Sequence, residues 1–335
     1  MGQRRAVDTC APSQGTSGPG QRRVVGRFAP SPSGRMHLGN LFSALLAWLS
    51  ARSQSGVFLL RHEDLDERCR DSLAAAQIED DLSWLGLDWD GEAVVQSACT
   101  ERYAAALEVL CGRAEVYECF CSRADLHVAS APHASDGTVI YPGTCRSLTP
   151  AERDARRAAR RSEGREPALR LHVPDEVVAF EDLHAGSYSQ ELASECGDFV
   201  VKRSDGVFAY QLAVVCDDAA SGVTEVVRGD DLIASTPRQI HLQRLLGLPT
   251  PAYAHHPLLV DRLGRRLSKR DRDLDVGAIR DKGVSGAQVV GFLALASGLR
   301  DTSDPVEPAE LAADFSWDKV ANTPIDVYSL LVEVR

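Results

Sequence analysis

The chain has 335 residues, and its content of 44% hydrophobic and 25% charged residues is ordinary for a soluble globular protein with two or three domains. A formal net charge of −11 excludes nucleic-acid binding through a uniformly basic surface, so a polyanion would need a local basic patch. The apolar stretches are too short to span a bilayer, and nine scattered cysteines do not suggest a disulfide framework, so we expect a cytoplasmic protein.

The first elements of the chain predict a parallel sheet. Residues 1–22 are rich in Gly, Ser, Gln, Pro and Arg without an apolar core, which predicts a disordered tail. The apolar runs Val24-Val25-Gly26-Arg27-Phe28-Ala29 and Val57-Phe58-Leu59-Leu60 each predict a buried strand. Between them, apolar residues recur at the spacing of one helix face: Leu38, Leu41, Leu45, Trp48 and Leu49. Strand, loop, helix and strand in this order build a parallel sheet.

The loop between the first strand and the first helix is a candidate phosphate site. Ligands of such sheets bind at the carboxyl ends of strands, where helix amino termini can meet anions. Gly34 and Gly39 would let another group approach the backbone, and His37 and Asn40 fall where the first helical turn begins. The alternative interpretation is a plain turn with a structural histidine, and the loop alone does not decide between the two.

Glu63 follows the second strand at its carboxyl end. A carboxylate in that position could bind an ammonium group, or it could belong to a polar loop that leads into the next helix. We predict helices at about residues 73–85 and 100–113.

Three cysteines, Cys119, Cys121 and Cys145, could hold a tetrahedral metal, and thiolates favour zinc. Coordination chemistry alone favours His127 or His133 as the fourth ligand, because imidazole is a common zinc ligand and phenol is not. However, a C-x-C pair is a weak signal, and cytosolic cysteines are often small buried hydrophobes. Both interpretations stay open at this point.

The following stretch predicts an insertion into the sheet domain. Residues 149–165, rich in Ala and Arg, predict a helix whose arginines form either a nucleic-acid surface or simply a solvated face. Residues 168–173 and 177–180 predict short strands, and residues 197–210 predict a hairpin that turns at Ser204-Asp205-Gly206. These strands interrupt the alternation of helices and strands.

The alternation resumes with a helical segment at residues 211–216, a strand within residues 223–231 and a helix that Thr236-Pro237 opens. A basic loop follows, Arg266-Leu267-Ser268-Lys269-Arg270, which can neutralise phosphates during nucleotidyl transfer or can be an ordinary surface turn. The remaining residues predict a small, mostly helical tail domain.

These stretches together resemble class I aminoacyl-tRNA synthetases of the glutamyl branch, over about residues 23–320. His37-Leu38-Gly39-Asn40 resembles the HIGH signature of that family. Arg266-Leu267-Ser268-Lys269-Arg270 resembles its KMSKS signature, with Arg in place of the first Lys. Three further stretches match the glutamyl branch: residues 27–31, 227–232 and 235–240.

The resemblance implies an α/β fold with a Rossmann-like doubly wound parallel sheet as the catalytic core. It also implies an inserted α+β zinc-containing subdomain and a small helical carboxyl-terminal domain. We accordingly expect a tail at residues 1–22, the two parts of the catalytic domain at 23–114 and 207–260, the inserted subdomain at 115–206, and the KMSKS loop with the helical domain at 261–335.

Full glutamyl-tRNA synthetases carry a large anticodon-binding region after the KMSKS loop, and too few residues follow Arg270 to form one. We therefore expect similarity to the truncated paralogues, the glutamyl-Q tRNA(Asp) synthetases. Such enzymes activate L-glutamate with ATP and Mg²⁺ without tRNA, and then transfer it to the queuosine of tRNA(Asp). The alternatives are a truncated synthetase that charges the tRNA 3′ end and a silent paralogue that binds tRNA or nucleotides. A monomer without a membrane partner is the simpler expectation.

The family also implies roles for residues that match its motifs. Glu63 would bind the ammonium group of glutamate, Arg228 a carboxylate, and Lys269 the α-phosphate and the leaving pyrophosphate. The implied glutamate pocket comprises Arg27, Phe28, Ala29, Pro30, Ser31, Glu63, Tyr210 and Arg228. The implied ATP site comprises His37, Gly39, Asn40 and Lys269, of which His37, Asn40 and Lys269 would be catalytic. The implied ligands of a structural zinc ion are Cys119, Cys121, Tyr141 and Cys145, so that Tyr141 takes the place of a histidine.

Overall fold

The computed structural model describes residues 23–113, 115–122, 125, 140–267 and 274–333. The predicted tail therefore lies outside the described residues. No helix in the described ranges is both long enough and apolar enough to cross a membrane.

The strands of the described residues are β1 Val25–Phe28, β2 Val57–His62, β3 Val94–Val95, β4 Val116–Cys119, β5 Ala168–Leu171, β6 Val177–Asp182, β7 Gly186–Glu191, β8 Phe199–Lys202, β9 Glu225–Gly229, β10 Ala252–His256, β11 Leu259–Val260 and β12 Ile325–Asp326. The helices are α1 Leu38–Ser53, α2 Ser72–Trp84, α3 Thr100–Gly112, α4 Pro150–Ser162, α5 Tyr210–Ala220, α6 Thr236–Leu246, α7 Val276–Asp281, α8 Gly286–Ser297, α9 Pro308–Ala312 and α10 Val327–Glu333.

Two parallel sheets lie side by side and form the core of the fold. β1, β2 and β3 form the first sheet in that order, and the second has the order β7-β6-β10-β9, with only β7 antiparallel to its neighbour. The backbone N–H of Thr224 donates to the carbonyl of Val25 at 2.9 Å, which places the start of β9 beside β1. The carboxyl ends of β1, β2 and β9 consequently lie at one edge, as a doubly wound α/β core requires.

Helix α1 joins β1 to β2 and confirms the predicted strand, loop, helix and strand. It is buried along most of its length, and burial of each large apolar side chain stabilises the fold by about 1.5–3 kcal/mol. Gly56 is needed after the helix because a Cβ there would lie 2.7 Å from the carbonyl oxygens of Ala51 and Val24. The chain can therefore turn directly from α1 into β2.

The predicted insertion contains an antiparallel sheet of β4, β5 and β8. The hairpin after β8 turns where predicted, with Gly206 at φ +88° and an antiparallel bridge from Lys202 to Phe208. Its returning arm is short because α5 begins at Tyr210. The hairpin of β6 and β7 instead joins the parallel sheet, since Asp182 pairs with Tyr253 of β10. The boundaries at residues 115 and 206 stay a prediction.

Helix α4 uses three of its arginines to hold itself against the rest of the chain. Arg157 pairs with Glu118 of β4 at 2.7 Å, and Arg160 donates to the carbonyl of Phe120. Arg153 donates to the carbonyl of Leu148 at 3.4 Å. The predicted basic run is therefore divided, and the exposed cations left on or just after the helix are Arg156, Arg161 and Arg165.

The carboxyl-terminal residues are mostly helical and pack closely on the core. A Cβ at Gly286, the first residue of α8, would collide with the carbonyl oxygen of Trp84 in α2. The indole N–H of Trp317 donates to Ser50 of α1 at 3.2 Å, and β11 pairs with β12. This part of the chain thus supports α1, the helix that follows the candidate phosphate loop.

Candidate active site and metal centre

A cavity of about 380 Å³ opens at the carboxyl ends of β1, β2 and β9. Its wall contains these predicted residues: Arg27, Phe28, Ala29, Ser31, His37, Gly39, Asn40, Glu63, Tyr210 and Arg228. Pro30 supports the wall from behind, because its carbonyl accepts the backbone N–H of Glu63 at 2.9 Å. Lys269 lies outside the described residues. The cavity thus gathers residues that are far apart in the sequence.

One buried carboxylate organises the charged side of the cavity. Asp218 of α5 accepts hydrogen bonds from Arg27 Nε at 3.2 Å and from Arg61 Nη1 at 2.6 Å. Burial alone would raise the pKa of Asp218, but the charges of Arg27 and Arg61 outweigh it and lower that pKa. Asp218 is therefore ionised and holds both guanidinium groups beside the cavity.

Glu63 lies next to this cluster and keeps one oxygen near Arg61 Nη2, at 3.2 Å. Burial raises the pKa of Glu63, although Arg61 and Arg27 oppose the shift. A cationic ligand group would restore the balance in favour of the ionised carboxylate. The arrangement suits an ammonium group.

The same helix, α5, carries a second buried carboxylate next to Asp218. Asp217 has a fully buried side chain and accepts from Arg102 at 2.6 Å, from Tyr103 at 2.7 Å and from Gln96 at 2.8 Å. These three donors compensate the buried charge, so α5 can place two consecutive acidic residues inside the protein.

Arg228 is a buried cation at the carboxyl end of β9 with 6% of its surface exposed. It donates to Tyr210 Oη at 3.3 Å, to Thr236 Oγ1 at 2.7 Å and to His255 Nε2 at 3.0 Å. Among the described residues, no carboxylate oxygen lies within 4.0 Å of its guanidinium nitrogens. A buried guanidinium with only neutral partners is suited to receive an anionic ligand.

The other half of the cavity is formed by the amino end of α1. Asn40 Oδ1 accepts the backbone N–H of His37 at 3.0 Å, which fixes the first turn. A Cβ at Gly39 would lie 3.0 Å from Cε1 of His37, so the imidazole packs directly over the glycine. The first turn contains no acidic residue, and the positive end of its helix dipole favours a phosphate.

Sequence reasoning missed several residues of the cavity and its support. Asp218 and Asp217 had one usable signal, because two acidic residues directly follow an apolar run in the same helix. Arg266 belongs to the predicted basic loop, but its ion pair with Asp231 on the cavity wall had no signal in the local sequence.

His256 also lines the cavity without having been predicted. Its Nδ1 must carry the proton, because that nitrogen lies 2.9 Å from the carbonyl oxygen of Pro257. Burial lowers the pKa of His256 to about 4, so the ring is neutral. Its Nε2 is then an acceptor, and it has no hydrogen-bond partner among the described residues.

The three cysteines and Tyr141 come together on the antiparallel sheet and the loop that faces it. The distances from Cys121 Sγ to Cys145 Sγ, from Cys121 Sγ to Tyr141 Oη and from Cys119 Sγ to Tyr141 Oη are each 3.6 Å. A tetrahedron with metal–sulfur bonds of about 2.3 Å has edges of about 3.8 Å. These three separations, together with three Sγ atoms that all lie within 4.8 Å of one another, are compatible with a tetrahedral metal ion. His127 and His133 lie outside the described residues.

A buried arginine accompanies this cluster. Arg170 Nε donates to Cys119 Sγ at 3.3 Å, and its guanidinium carbon lies 3.9 Å from the centre of the Tyr141 ring. The backbone N–H of Phe120 donates to Cys145 Sγ at 3.4 Å. Within the described part of the chain, no carboxylate oxygen lies within 4.0 Å of the Arg170 guanidinium nitrogens, and its Nη1 donates to the backbone carbonyl of Asp198 at 2.7 Å.

Comparison with known proteins decides the family. Residues 23–321 match the family model described as tRNA synthetases class I (E and Q), catalytic domain. A glutamyl-Q tRNA(Asp) synthetase from Symbiobacterium thermophilum is 50% identical over 316 residues, covering 91% of this chain and 96% of the relative. The chain belongs to the glutamyl-Q tRNA(Asp) synthetase family. A second member, from Nitratidesulfovibrio vulgaris, is 46% identical over 312 residues and covers 90% of this chain and 95% of the relative.

Solved structures agree with membership of this synthetase family. The crystal structure of a glutamate tRNA ligase from Elizabethkingia meningosepticum, in complex with its amino acid, superposes with a TM-score of 0.76 and 25% identity. The match covers 91% of this chain and 67% of that ligase. This confirms the predicted class I catalytic fold.

Proposed function

We propose that the protein activates L-glutamate with ATP in the absence of tRNA and then transfers the glutamyl group to the queuosine cyclopentenediol of tRNA(Asp). One observation carries the activation step: beside the amino end of α1, a single cavity holds the half-buried carboxylate of Glu63 and the buried guanidinium of Arg228, which has no carboxylate partner among the described residues. Opposite charges in one cavity suit a zwitterionic amino acid, and the amino end of the helix suits a phosphate. The acceptor follows from the names of the relatives.

In this proposal the glutamate half of the cavity comprises residues 27–31, Glu63, Tyr210 and Arg228. Glu63 receives the ammonium group, and Arg228 receives a carboxylate. Arg27 is held in place by Asp218 and gives further positive charge to the pocket.

The ATP half comprises His37, Gly39, Asn40 and Lys269. A glutamate carboxylate oxygen attacks the α-phosphorus, the bond from that phosphorus to the bridging oxygen breaks, and pyrophosphate leaves with the electron pair. The chain needs no nucleophile of its own for this step, because positioned reactants and fixed positive charge lower the barrier. His37, Asn40 and Lys269 would supply that positioning and charge, and Mg²⁺ enters with ATP as the metal that neutralises its phosphates.

In the transfer step, a hydroxyl oxygen of the cyclopentenediol attacks the carbonyl carbon of the mixed anhydride. The bond from that carbon to the phosphate oxygen breaks, AMP leaves, and the hydroxyl proton passes to solvent. We expect the protein to act in the cytoplasm, where ATP and tRNA are available, and as a monomer.

We also propose that Cys119, Cys121, Tyr141 and Cys145 bind one structural zinc ion. Four protein ligands leave no open position for catalysis, so the ion would stabilise the antiparallel sheet. The distances of 3.6 Å among the ligand atoms support this assignment.

The test uses the full chain in two steps. First, glutamate-dependent ATP–pyrophosphate exchange is measured without tRNA, and we expect exchange with glutamate but not with glutamine. Second, labelled glutamate is offered with tRNA(Asp) that contains or lacks queuosine, in each case with the 3′-terminal adenosine either present or removed. Among the tRNAs that lack the adenosine, labelling of the queuosine form alone supports the proposal. Absence of exchange would indicate a silent paralogue, and labelling that requires the 3′ adenosine would indicate an ordinary synthetase.

A further inference from the structure

Behind Arg228 lie three buried residues whose side chains form a connected chain of hydrogen bonds. We call Asp182, His255 and Thr236 the Arg228 support. The side chains of Asp182 and His255 are both 0% exposed. His255 Nδ1 lies 2.5 Å from Asp182 Oδ2, and His255 Nε2 lies 3.0 Å from Arg228 Nε. None of the three belongs to the cavity wall, so they act on a ligand only through Arg228.

The surroundings of Asp182 fix the tautomer of His255. Asp182 Oδ1 accepts the backbone N–H groups of His184 at 3.0 Å, Ala185 at 2.9 Å and His255 at 3.0 Å. These bonds, together with the one from His255, lower the pKa of Asp182 although burial opposes the change. An ionised carboxylate only accepts, so the proton of the neutral imidazole must be on Nδ1 and the lone pair on Nε2.

The lone pair of Nε2 is the partner that the Nε–H of Arg228 needs. Thr236 Oγ1 accepts from Nη2 at 2.7 Å, and Tyr210 Oη accepts from Nη1 at 3.3 Å. Each of the three guanidinium nitrogens thereby donates one hydrogen bond within the protein. Since a guanidinium has five N–H donors, one donor on each of the two Nη atoms is left for a ligand.

We infer that Asp182 and His255 are positioning residues for glutamate recognition. They hold the guanidinium plane of Arg228 in the rotation in which its two remaining donors meet both oxygens of a substrate carboxylate. The inference rests on the proposed role of Arg228 in binding glutamate. Such bidentate pairs are strong only when the guanidinium plane is correctly oriented, so the support should control affinity for glutamate and leave affinity for ATP unchanged.

The kinetic test compares His255→Leu and Thr236→Val with the wild type in ATP–pyrophosphate exchange. Each variant removes one acceptor of Arg228 with little change in volume. We expect the KM for glutamate to rise by about tenfold or more and the KM for ATP to stay within about twofold. The matched control is His241→Leu: His241 is also a buried histidine, but it contacts Glu176 and not Arg228, so its KM for glutamate should not change. An unchanged KM for glutamate in both folded test variants would overturn the inference.

A spectroscopic test does not depend on turnover. In ¹⁵N NMR spectra of the wild type, the His255 ring should carry its proton on Nδ1, with the signals assigned by their loss in His255→Leu. Asp182→Asn can donate to Nδ1 and should allow the other tautomer, together with a raised KM for glutamate. A proton on Nε2 in the wild type would contradict the proposed support. If the wild type shows no glutamate-dependent exchange, the proposed function fails. The NMR result still tests the arrangement of the Arg228 support independently of that activity.

Discussion

Among single residues, Glu63 is a carboxylate whose charge is opposed by burial. The pKa of Glu63 lies above its ordinary value, and the nearby arginines only partly correct it. Because the folded-state pKa exceeds that of the unfolded chain, the ligand-free protein loses stability as the pH rises through it. A bound ammonium group would offset that loss.

We therefore expect glutamate to stabilise the protein less as the pH falls through the raised pKa of Glu63. The measurement is the change in Tm that a fixed glutamate concentration produces across a series of pH values. Glu63→Gln is the control, since its small glutamate effect should not vary with pH in this window. A wild-type Tm increment that is independent of pH would argue against an ionised Glu63 at the ammonium site.

Gly39 gives a second prediction at this scale. Alanine is the better helix former by about 1 kcal/mol, yet its Cβ would lie 3.0 Å from the His37 ring. Gly39→Ala should displace the imidazole and raise the KM for ATP by about tenfold or more, with the KM for glutamate within about twofold. Gly112→Ala at the end of α3 is the matched control, because no atom lies within 4 Å of the added Cβ. Equal KM values for ATP in all three proteins would refute a role for the ring in the ATP half.

At the scale of elements, the metal cluster depends on β5 as well as on its own ligands. Arg170 of β5 contacts both Cys119 and Tyr141 and has no carboxylate oxygen within 4.0 Å among the described residues. Outer partners of this kind orient metal ligands and balance their charge.

Arg170→Met should therefore weaken zinc binding by about tenfold or more, which competition with a chromophoric chelator would measure. Arg161→Met on the exposed side of α4 is the control and should bind zinc as the wild type does. Cys145→Ser should lose more affinity than Arg170→Met. Wild-type zinc affinity in Arg170→Met would mean that the arginine only fills space.

The elements also show what the sequence could predict. The presence of α1 and β2 follows from local signals, namely one apolar helix face and the apolar run that begins after Gly56, although β2 ends at His62, two residues later than predicted. The pairing of β6 with β10 had no such signal, because residues far apart in the chain contribute to it. Family motifs indicated Arg27 and Glu63, whereas Asp218 lies 191 residues from its partner Arg27 and emerges only from the fold. The arginine run of α4 was ambiguous because composition does not say which side chains face inward.

At the scale of the whole molecule, the cavity and the metal cluster are built from different sheets. The cavity wall comes mainly from β1, β2, β9 and the helices beside them, whereas the cysteines lie on β4 and the loops near it. The two sites share no residue among those described. Loss of the metal should consequently affect glutamate activation and transfer to tRNA differently.

We expect Cys145→Ser to keep glutamate-dependent ATP–pyrophosphate exchange within about twofold of the wild type while losing thermal stability and transfer to tRNA. The exchange rate, the transfer rate and the Tm are measured on the same preparation of the variant. Wild-type protein stripped of metal by a chelator serves as the control. Exchange that disappears together with transfer would show that the metal supports the parallel sheets too.

The position of Asp218 has a consequence for synthesis on the ribosome. Arg27 and Arg61 share this carboxylate as their common buried counter-ion, and it is made more than 150 residues after Arg61, given that the pair spans 157 positions. Until α5 emerges, Arg27 would lack its carboxylate partner and Arg61 would have only Glu63, so burying both guanidinium groups would cost several kcal/mol. We therefore expect the first sheet to complete its packing only after α5 and the strand that follows it, β9, have been synthesised.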